Sequence, residues 1–466
     1  MRSILFFDKN ATSVISDQTV QDLVLHRTVS CVHRGTEAED VVLSVLRTPC
    51  TDHSIIKNRQ AVLQDFIGNP GAIEQCLAMC NRITNEAEER RSPRYRMSSN
   101  SHSADRSGSL LAVQDDGEWM LDILGQYARM ARFLESLTLT SDPLCKLREW
   151  LLKLVADSEY KQLCQDMAAL SVISTCNTSY EIKADLTEDV RQITYRLLNI
   201  GDRIQLHKTI DDPKRVMRID RAEQLYGEQV VITALRSLHE YLVQAARLLT
   251  TMYAELREEL LFYDFGVRYH RLLCDKGVPI AWPTLTTDNN TQYRELHDLY
   301  LTLHNVKPPV ANDYDSASLV VITGANNSGK TVFMRTVGAA QLFAQAGLPL
   351  PAKEAVVSVK RCVFTVYAAN EKDAGRFEEE CRLLSDIVDA VTAEDLVLFN
   401  EPFQSTAYKE GGELLKDVLE VFGTANISSV LVTHLLDLKE RLLSASSYSV
   451  AAYESSKPYT FVSKHR

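Results

Sequence analysis

The stretch Leu319-Val320-Val321-Ile322-Thr323-Gly324-Ala325-Asn326-Asn327-Ser328-Gly329-Lys330-Thr331 decides how this chain folds. Its first residues are a continuous aliphatic and β-branched run, the composition of a strand buried on both faces of a parallel sheet. The next eight satisfy G-x-x-x-x-G-K-[ST], and Val332, Phe333, Met334, Val337 and Ala340 follow at helical spacing. Strand, glycine loop and helix in that order make a phosphate cradle. Glycines let the backbone wrap round an anion, and the loop N–H groups and helix N-terminus point at it. Gly324, Ala325, Asn326, Asn327, Ser328, Gly329, Lys330 and Thr331 are therefore the candidate nucleotide-binding residues. The pattern puts the Lys330 ammonium on the β- and γ-phosphates and the Thr331 hydroxyl on Mg²⁺, so ATP and Mg²⁺ are the expected ligands.

Two more apolar runs complete the motif set. Leu396-Val397-Leu398-Phe399 ends in Asn400-Glu401, where a Walker B strand belongs. Asn400 stands at the position of the usual aspartate. Asparagine keeps one acceptor oxygen but loses the charge, which predicts a weaker hold on metal and slow hydrolysis. Glu401 is the candidate general base, and Thr331, Asn400 and Glu401 are the candidate Mg²⁺ set, partly through water. Val430-Leu431-Val432-Thr433-His434 is a third core strand, and its position after the other two marks His434 as a γ-phosphate sensor.

Around this nucleus, 466 residues allow two to four domains. Hydrophobic residues at 45% and charged residues at 24% exclude wholesale disorder and a fibrous repeat. A net charge of −11 excludes nucleic-acid coating by bulk positive charge, though not a local basic channel. Between Leu144 and Lys276 the only breakers are Gly201, Pro213, Gly227 and Gly266, which rules out a β-sandwich there. Within that stretch Val231, Leu235, Leu238, Leu242, Ala245, Leu249, Met252 and Leu256 keep 4-3 spacing. A helix from Glu223 to Leu261 would span roughly 60 Å, the shape of a strut or lever. The spacing predicts helices over 36–90 with a turn at Thr48-Pro49-Cys50-Thr51-Asp52, where Thr51 or Asp52 caps the next helix. Residues 90–109, with seven serines and five arginines, read as a flexible loop, and 171–222 as a mixed-charge excursion. The expected division is a helical core and lever over 1–276 and an α/β P-loop NTPase domain over 277–466. The short apolar N-terminus does not make a signal peptide and no run is long enough to span a membrane, which predicts a cytoplasmic protein. The scattered cysteines, without a CxxC pair, predict reduced thiols.

Together these segments resemble the MutS family of DNA mismatch-repair ATPases, which are ABC-type P-loop proteins. The resemblance extends through Gln341-Leu342-Phe343-Ala344-Gln345-Ala346-Gly347 and Leu350-Pro351-Ala352, and through Phe364-Thr365 with Ala368-Ala369-Asn370-Glu371. It includes Thr433-His434-Leu435-Leu436-Asp437-Leu438, and upstream Pro49-Cys50-Thr51-Asp52 with Ile55 and Arg59-Gln60-Ala61-Val62. It implies a dimer with ATP between two such domains, a lever that carries closure to a distant site, and DNA as partner, including branched or undamaged duplex. Phe377-Glu378-Glu379-Glu380 falls at the family's signature loop, which contacts the neighbouring subunit's nucleotide. There Gly375, Arg376 and Phe377 are the candidate trans residues, with Arg376 replacing a hydroxyl as a cationic finger. The sequence departs from the family in having no room for an N-terminal mismatch reader and connector, and in a clamp at 171–222 that is short or absent. The expectation is a MutS-like dimeric ATPase without mismatch recognition. The alternative is a nucleotide-gated protein–protein switch with little hydrolysis and no DNA ligand. A metabolite kinase leaves the helical region and the Thr433-His434 pair without a role.

Overall fold

The computed structural model of the chain describes residues 13–33, 37–91, 110–171, 178–186, 193–202, 221–367, 376–403, 408–434 and 449–464, with Glu440 and Leu442. In chain order the helices of the first half are α1 (Asp17–Asp22), α2 (Leu25–Ser30), α3 (Glu37–Arg47), α4 (His53–Gly68), α5 (Ala72–Arg91), α6 (Leu110–Ser136), α7 (Asp142–Ala156) and α8 (Ser158–Ser171). Strands β1 (Thr178–Leu186) and β2 (Ile193–Asp202) follow, and then α9 (Arg221–Lys276). The second half holds β3 (Thr284–Thr286), β4 (Gln292–Leu296), α10 (Leu299–His304), β5 (Asn312–Asp315), β6 (Leu319–Thr323), α11 (Lys330–Gln345), β7 (Glu354–Ser358) and β8 (Val363–Tyr367). It ends with α12 (Arg376–Ala390), β9 (Leu396–Asn400), α13 (Tyr408–Thr424), β10 (Ser428–Val432), β11 (Val450–Lys457) and β12 (Thr460–Lys464).

The chain forms two compact units, one of residues 1–73, 139–144 and 258–466, the other of 74–138 and 145–257. The first is built on a six-stranded sheet in the order β12-β11-β6-β10-β9-β8, parallel except for the β11–β12 hairpin. β6 sits between β11 and β10 and is buried along its whole length, as its unbroken apolar run requires. A second sheet, β3-β7-β4-β5, lies in the same unit. On α11, Gly338 leaves room that a Cβ would fill, 2.5 Å from Leu398 and 2.8 Å from Leu23 side-chain atoms.

The N-terminal helices belong to this unit for reasons the side chains make clear. Asp52 caps α4 by accepting from the N–H groups of Ser54 (2.7 Å) and Ile55 (3.3 Å). Gln345 of α11 is fully buried and donates to the carbonyls of Cys50 and Lys360, both at 2.8 Å. Gly347, at φ +85°, lets the turn after α11 meet α4, since a Cβ there would lie 2.7 Å from Arg59 Cβ. Asp65 accepts from the N–H groups of Thr140 (3.0 Å) and Ser141 (2.8 Å) and from the Thr140 hydroxyl. Burial alone would raise its carboxyl, but these bonds from Ser141 and Thr140 outweigh it and hold the group below its ordinary value.

The second unit is helical, with the antiparallel β1–β2 ribbon in its sequence. Its core gathers Trp119, Ile123, Tyr127 and Leu134 of α6 with Leu235, Leu242, Met252, Tyr253 and Leu256 of α9. The Tyr127 and Tyr253 rings meet edge to face at 4.9 Å, and the Tyr127 hydroxyl donates to the Leu249 carbonyl. The heptad reading predicts α9 only to Leu261. The helix continues to Lys276 because Phe262, Tyr263, Phe265, Tyr269 and Leu273 are buried in the first unit, where Gly266 meets the Leu63 side chain. Residues 92–109 and 203–220, which hold most of the serine–arginine loop and part of the mixed-charge excursion, lie outside the described residues. No disulfide joins the described cysteines, and among the described residues no helix is long and apolar enough to cross a membrane.

Candidate functional site

The glycine loop connects β6 to α11 inside the first unit. Gly324 (φ +153°), Asn327 (φ +61°) and Gly329 (φ +95°) give it a curvature that L side chains resist. A Cβ on Gly324 would come within 2.8 Å of Ser455 Cβ, and one on Gly329 within 2.9 Å of the Tyr459 ring. Gly329 is also the N-cap of α11 and supplies no side-chain cap bond, so the first N–H groups of that helix are left for an anion. Ala325, Asn326, Asn327 and Thr331 are exposed, whereas Ser328 and Lys330 are buried, at 7% and 5% exposure. The buried Ser328 hydroxyl has no hydrogen-bond partner.

Lys330 folds back over the loop. Its Nζ donates to the carbonyls of Gly324 (3.1 Å) and Ala325 (3.0 Å) and lies 3.7 Å from the Glu401 carboxylate. Burial pulls the ammonium below its ordinary range, and Glu401 opposes the shift. The Thr331 hydroxyl donates to Asn400 Oδ1 at 2.9 Å, across from α11 to the end of β9. Glu401 follows at φ +52°, with its N–H on the Val432 carbonyl of β10. Its Oε1 lies 2.5 Å from His434 Nε2. Thr433, just before, extends β10 by donating its N–H to the Ile322 carbonyl of β6. Thus residues from three neighbouring strand ends and one helix N-terminus meet in a small volume.

These parts fit a nucleoside triphosphate with a divalent ion. The loop is a cradle that a Cβ would fill, it holds a buried unpartnered hydroxyl, and a hydroxyl and an amide oxygen stand side by side at its rim. Among the described residues no group of three His, Cys, Asp or Glu side chains could hold a metal alone. An ion here would lean on Thr331, Asn400, water and the phosphates. Gly375 lies outside the described residues, and Arg376 and Phe377 are described only as the backbone of the first turn of α12.

Several residues at the site are not among the candidates the sequence named. Tyr459, in the β11–β12 turn at φ +65°, donates its N–H to the Ser328 carbonyl, and its own carbonyl accepts from Asn312 Nδ2. Beside it opens a cavity of about 380 Å³ whose lining includes Val310, Asn312, Gly329, Val332, Phe333 and Tyr459. Glu380 of α12 accepts the N–H of Phe403 at 2.7 Å. Pro458 hints at the first turn, but nothing in the sequence says which loop that turn touches.

Comparison with known proteins matches this chain to two family models, one described as MutS domain V over residues 320–465 and one as MutS2 N-terminal domain over residues 51–275. The first takes in the glycine loop with Lys330, Thr331, Glu380, Asn400, Glu401, His434 and Tyr459, while Val310 and Asn312 lie before it. The chain belongs to the MutS family. Among its relatives, Endonuclease MutS2 of Streptococcus uberis is 34% identical over 37% of this chain and 22% of its own length. Endonuclease MutS2 of Lactococcus lactis subsp. cremoris is 30% identical over 47% of this chain and 30% of its own length. The protein of the same name from Streptococcus mutans is 30% identical over 34% of this chain and 20% of its own length. The matches thus span less than a third of these relatives.

Proposed function

We propose that this chain is a P-loop ATPase of the MutS type that binds ATP with Mg²⁺ at the glycine loop, works as a dimer and couples nucleotide state to DNA binding. The observation that carries the reading is the convergence of Lys330 Nζ, at 3.7 Å, and His434 Nε2, at 2.5 Å, on the Oε1 atom of Glu401. The membership in a family of DNA-repair ATPases supports it. The reading does not extend to the nuclease activity in the relatives' name, because the chain matches only part of their length.

In this reading the loop N–H groups and the α11 N-terminus bind the phosphates, and Lys330 leaves the Gly324 and Ala325 carbonyls to meet them. Thr331 and Asn400 hold Mg²⁺, which supplies charge neutralisation on the phosphate oxygens when bound. Glu401 orients and deprotonates the attacking water, while His434 fixes the Glu401 carboxylate and reports on the γ-phosphate. The cavity beside Tyr459 takes the base. Arg376, at the start of α12, is the cationic contact offered to the partner subunit's nucleotide.

One feature favours a second reading. Asn400 lacks the charge that would anchor the metal, so a chain that binds ATP and hydrolyses it barely would act as a nucleotide-gated protein switch. Binding of duplex and junction DNA under ATP, ADP and no nucleotide, with mass measured in the same samples, separates the two. The ATPase reading expects a dimer with ATP and DNA affinity that falls steeply between about 50 and 200 mM salt. ATP-dependent assembly without DNA binding, or DNA affinity indifferent to salt, supports the switch instead.

A further inference from the structure

The segment Asn400-Glu401-Pro402-Phe403 turns sharply after β9, with φ +52° at Glu401 and +60° at Phe403. Neither is glycine, and for a bulky aromatic residue this conformation is a true outlier. It persists because the surroundings fix it. Phe403 is 4% exposed and packs in the core with Leu384, Ile387, Leu415 and Phe422. Gly411 of α13 makes room, since a Cβ there would lie 2.6 Å from Phe403 Cβ. Pro402 has no N–H, so the Phe403 N–H is the next donor in the turn, and Glu380, itself 4% exposed, accepts it at 2.7 Å. Without that acceptor a buried N–H in an outlier turn would be orphaned.

Two residues upstream of this bond is Glu401, whose carboxylate is aimed at His434 and Lys330. We infer that Glu380 is a positioning residue: its carboxylate oxygen holds the Pro402-Phe403 turn and thereby sets the backbone of Glu401 for its work on water. The inference rests on the ATPase reading given above. It also gives α12 a mechanical role. Arg376 opens the same helix one turn before Glu380, so a shift of α12 reaches the turn after Glu401 through the Glu380 hydrogen bond and the packing of Leu384 and Ile387 around Phe403.

Steady-state ATP turnover and equilibrium ATP binding of the full chain with Mg²⁺ test this on four variants. Glu380→Ala removes the acceptor and Glu380→Asp keeps the charge but shortens the arm. Both are expected to lose about 10–100-fold in kcat, the cost of misplacing a reacting group by about an ångström, with ATP affinity near that of the wild type. Glu380→Gln keeps an acceptor oxygen at the same reach and should retain turnover close to wild type, which a role in charge alone would not allow. The reverse order, with Glu380→Asp active and Glu380→Gln inactive, overturns the inference. So does wild-type kcat in Glu380→Ala or Glu380→Asp, whichever folds. Glu401→Gln is the control on the underlying reading: if it turns over ATP as fast as the wild type, Glu401 is not the base and both proposals fall. If Glu401→Gln is inactive and the Glu380 variants are not impaired, only the inference about Glu380 falls.

Discussion

His434 Nε2 lies 2.5 Å from Glu401 Oε1, a side-chain contact between the ends of the paired strands β9 and β10 next to the glycine loop. Lys330 Nζ lies 3.7 Å from the same Glu401 oxygen. A carboxylate with two such neighbours has a fixed direction before any ligand arrives. Removing one neighbour should misdirect the carboxylate while leaving the phosphate cradle whole. His434→Ala is expected to lower kcat for ATP by about 100-fold, with little change in ATP affinity. Turnover assays beside equilibrium binding would read both; a loss confined to affinity would contradict this role.

Asn400 accepts from Thr331 at 2.9 Å, which brings the two rim oxygens together but leaves the pair without charge. Asn400→Asp supplies that charge at nearly constant shape. It should lower the Mg²⁺ concentration needed for half-maximal turnover and raise the rate at limiting Mg²⁺. A titration in which the variant and wild type coincide would show that Asn400 does not face the ion.

Lys360 is buried, with its ammonium donating to Asn289 and to the Ser428 hydroxyl at 2.8 Å. Burial pulls it down to about 8 from 10.5, against the pull of Asp395. Between those values the unfolded chain binds more protons than the folded one, so this group makes stability rise as pH rises through the window. Below about pH 8 the folded protein carries a buried charge at full cost. Lys360→Met removes the titration. Denaturant melts from pH 7 to pH 10.5 should therefore show wild type gaining on the variant by on the order of 2–3 kcal/mol. Parallel stability curves would contradict the assignment.

Strands β6, β9 and β10 and their order along the chain were legible because each is a short apolar run with a polar end, as at Leu319–Thr323 and Leu396–Asn400. The cap at Asp52 was legible for a similar local reason. Contacts between distant segments were not. Gln345 reads only as a helix residue, yet its amide ties α11 to Cys50 and so brings the N-terminal helices into the unit that carries the glycine loop. The extension of α9 beyond Leu261 was hidden because its last turns are buried on several faces, which erases the 4-3 pattern. At the site, the motif residues lie at strand ends where spacing points to them. Tyr459 reaches the loop through its own N–H and Glu380 accepts the Phe403 N–H with its carboxylate, and a hydrogen bond to a backbone group leaves no mark on the identity of the residue that carries that group.

The central claim is that this chain hydrolyses ATP through Lys330 and Glu401, and multiple-turnover phosphate release with Mg²⁺-ATP tests it most directly. Wild type should show slow but measurable turnover, Glu401→Gln should bind ATP and release no phosphate above background, and Lys330→Ala should fail to bind. Equal, undetectable release by wild type and Glu401→Gln, with ATP bound by both, would contradict hydrolysis and leave a nucleotide-binding switch.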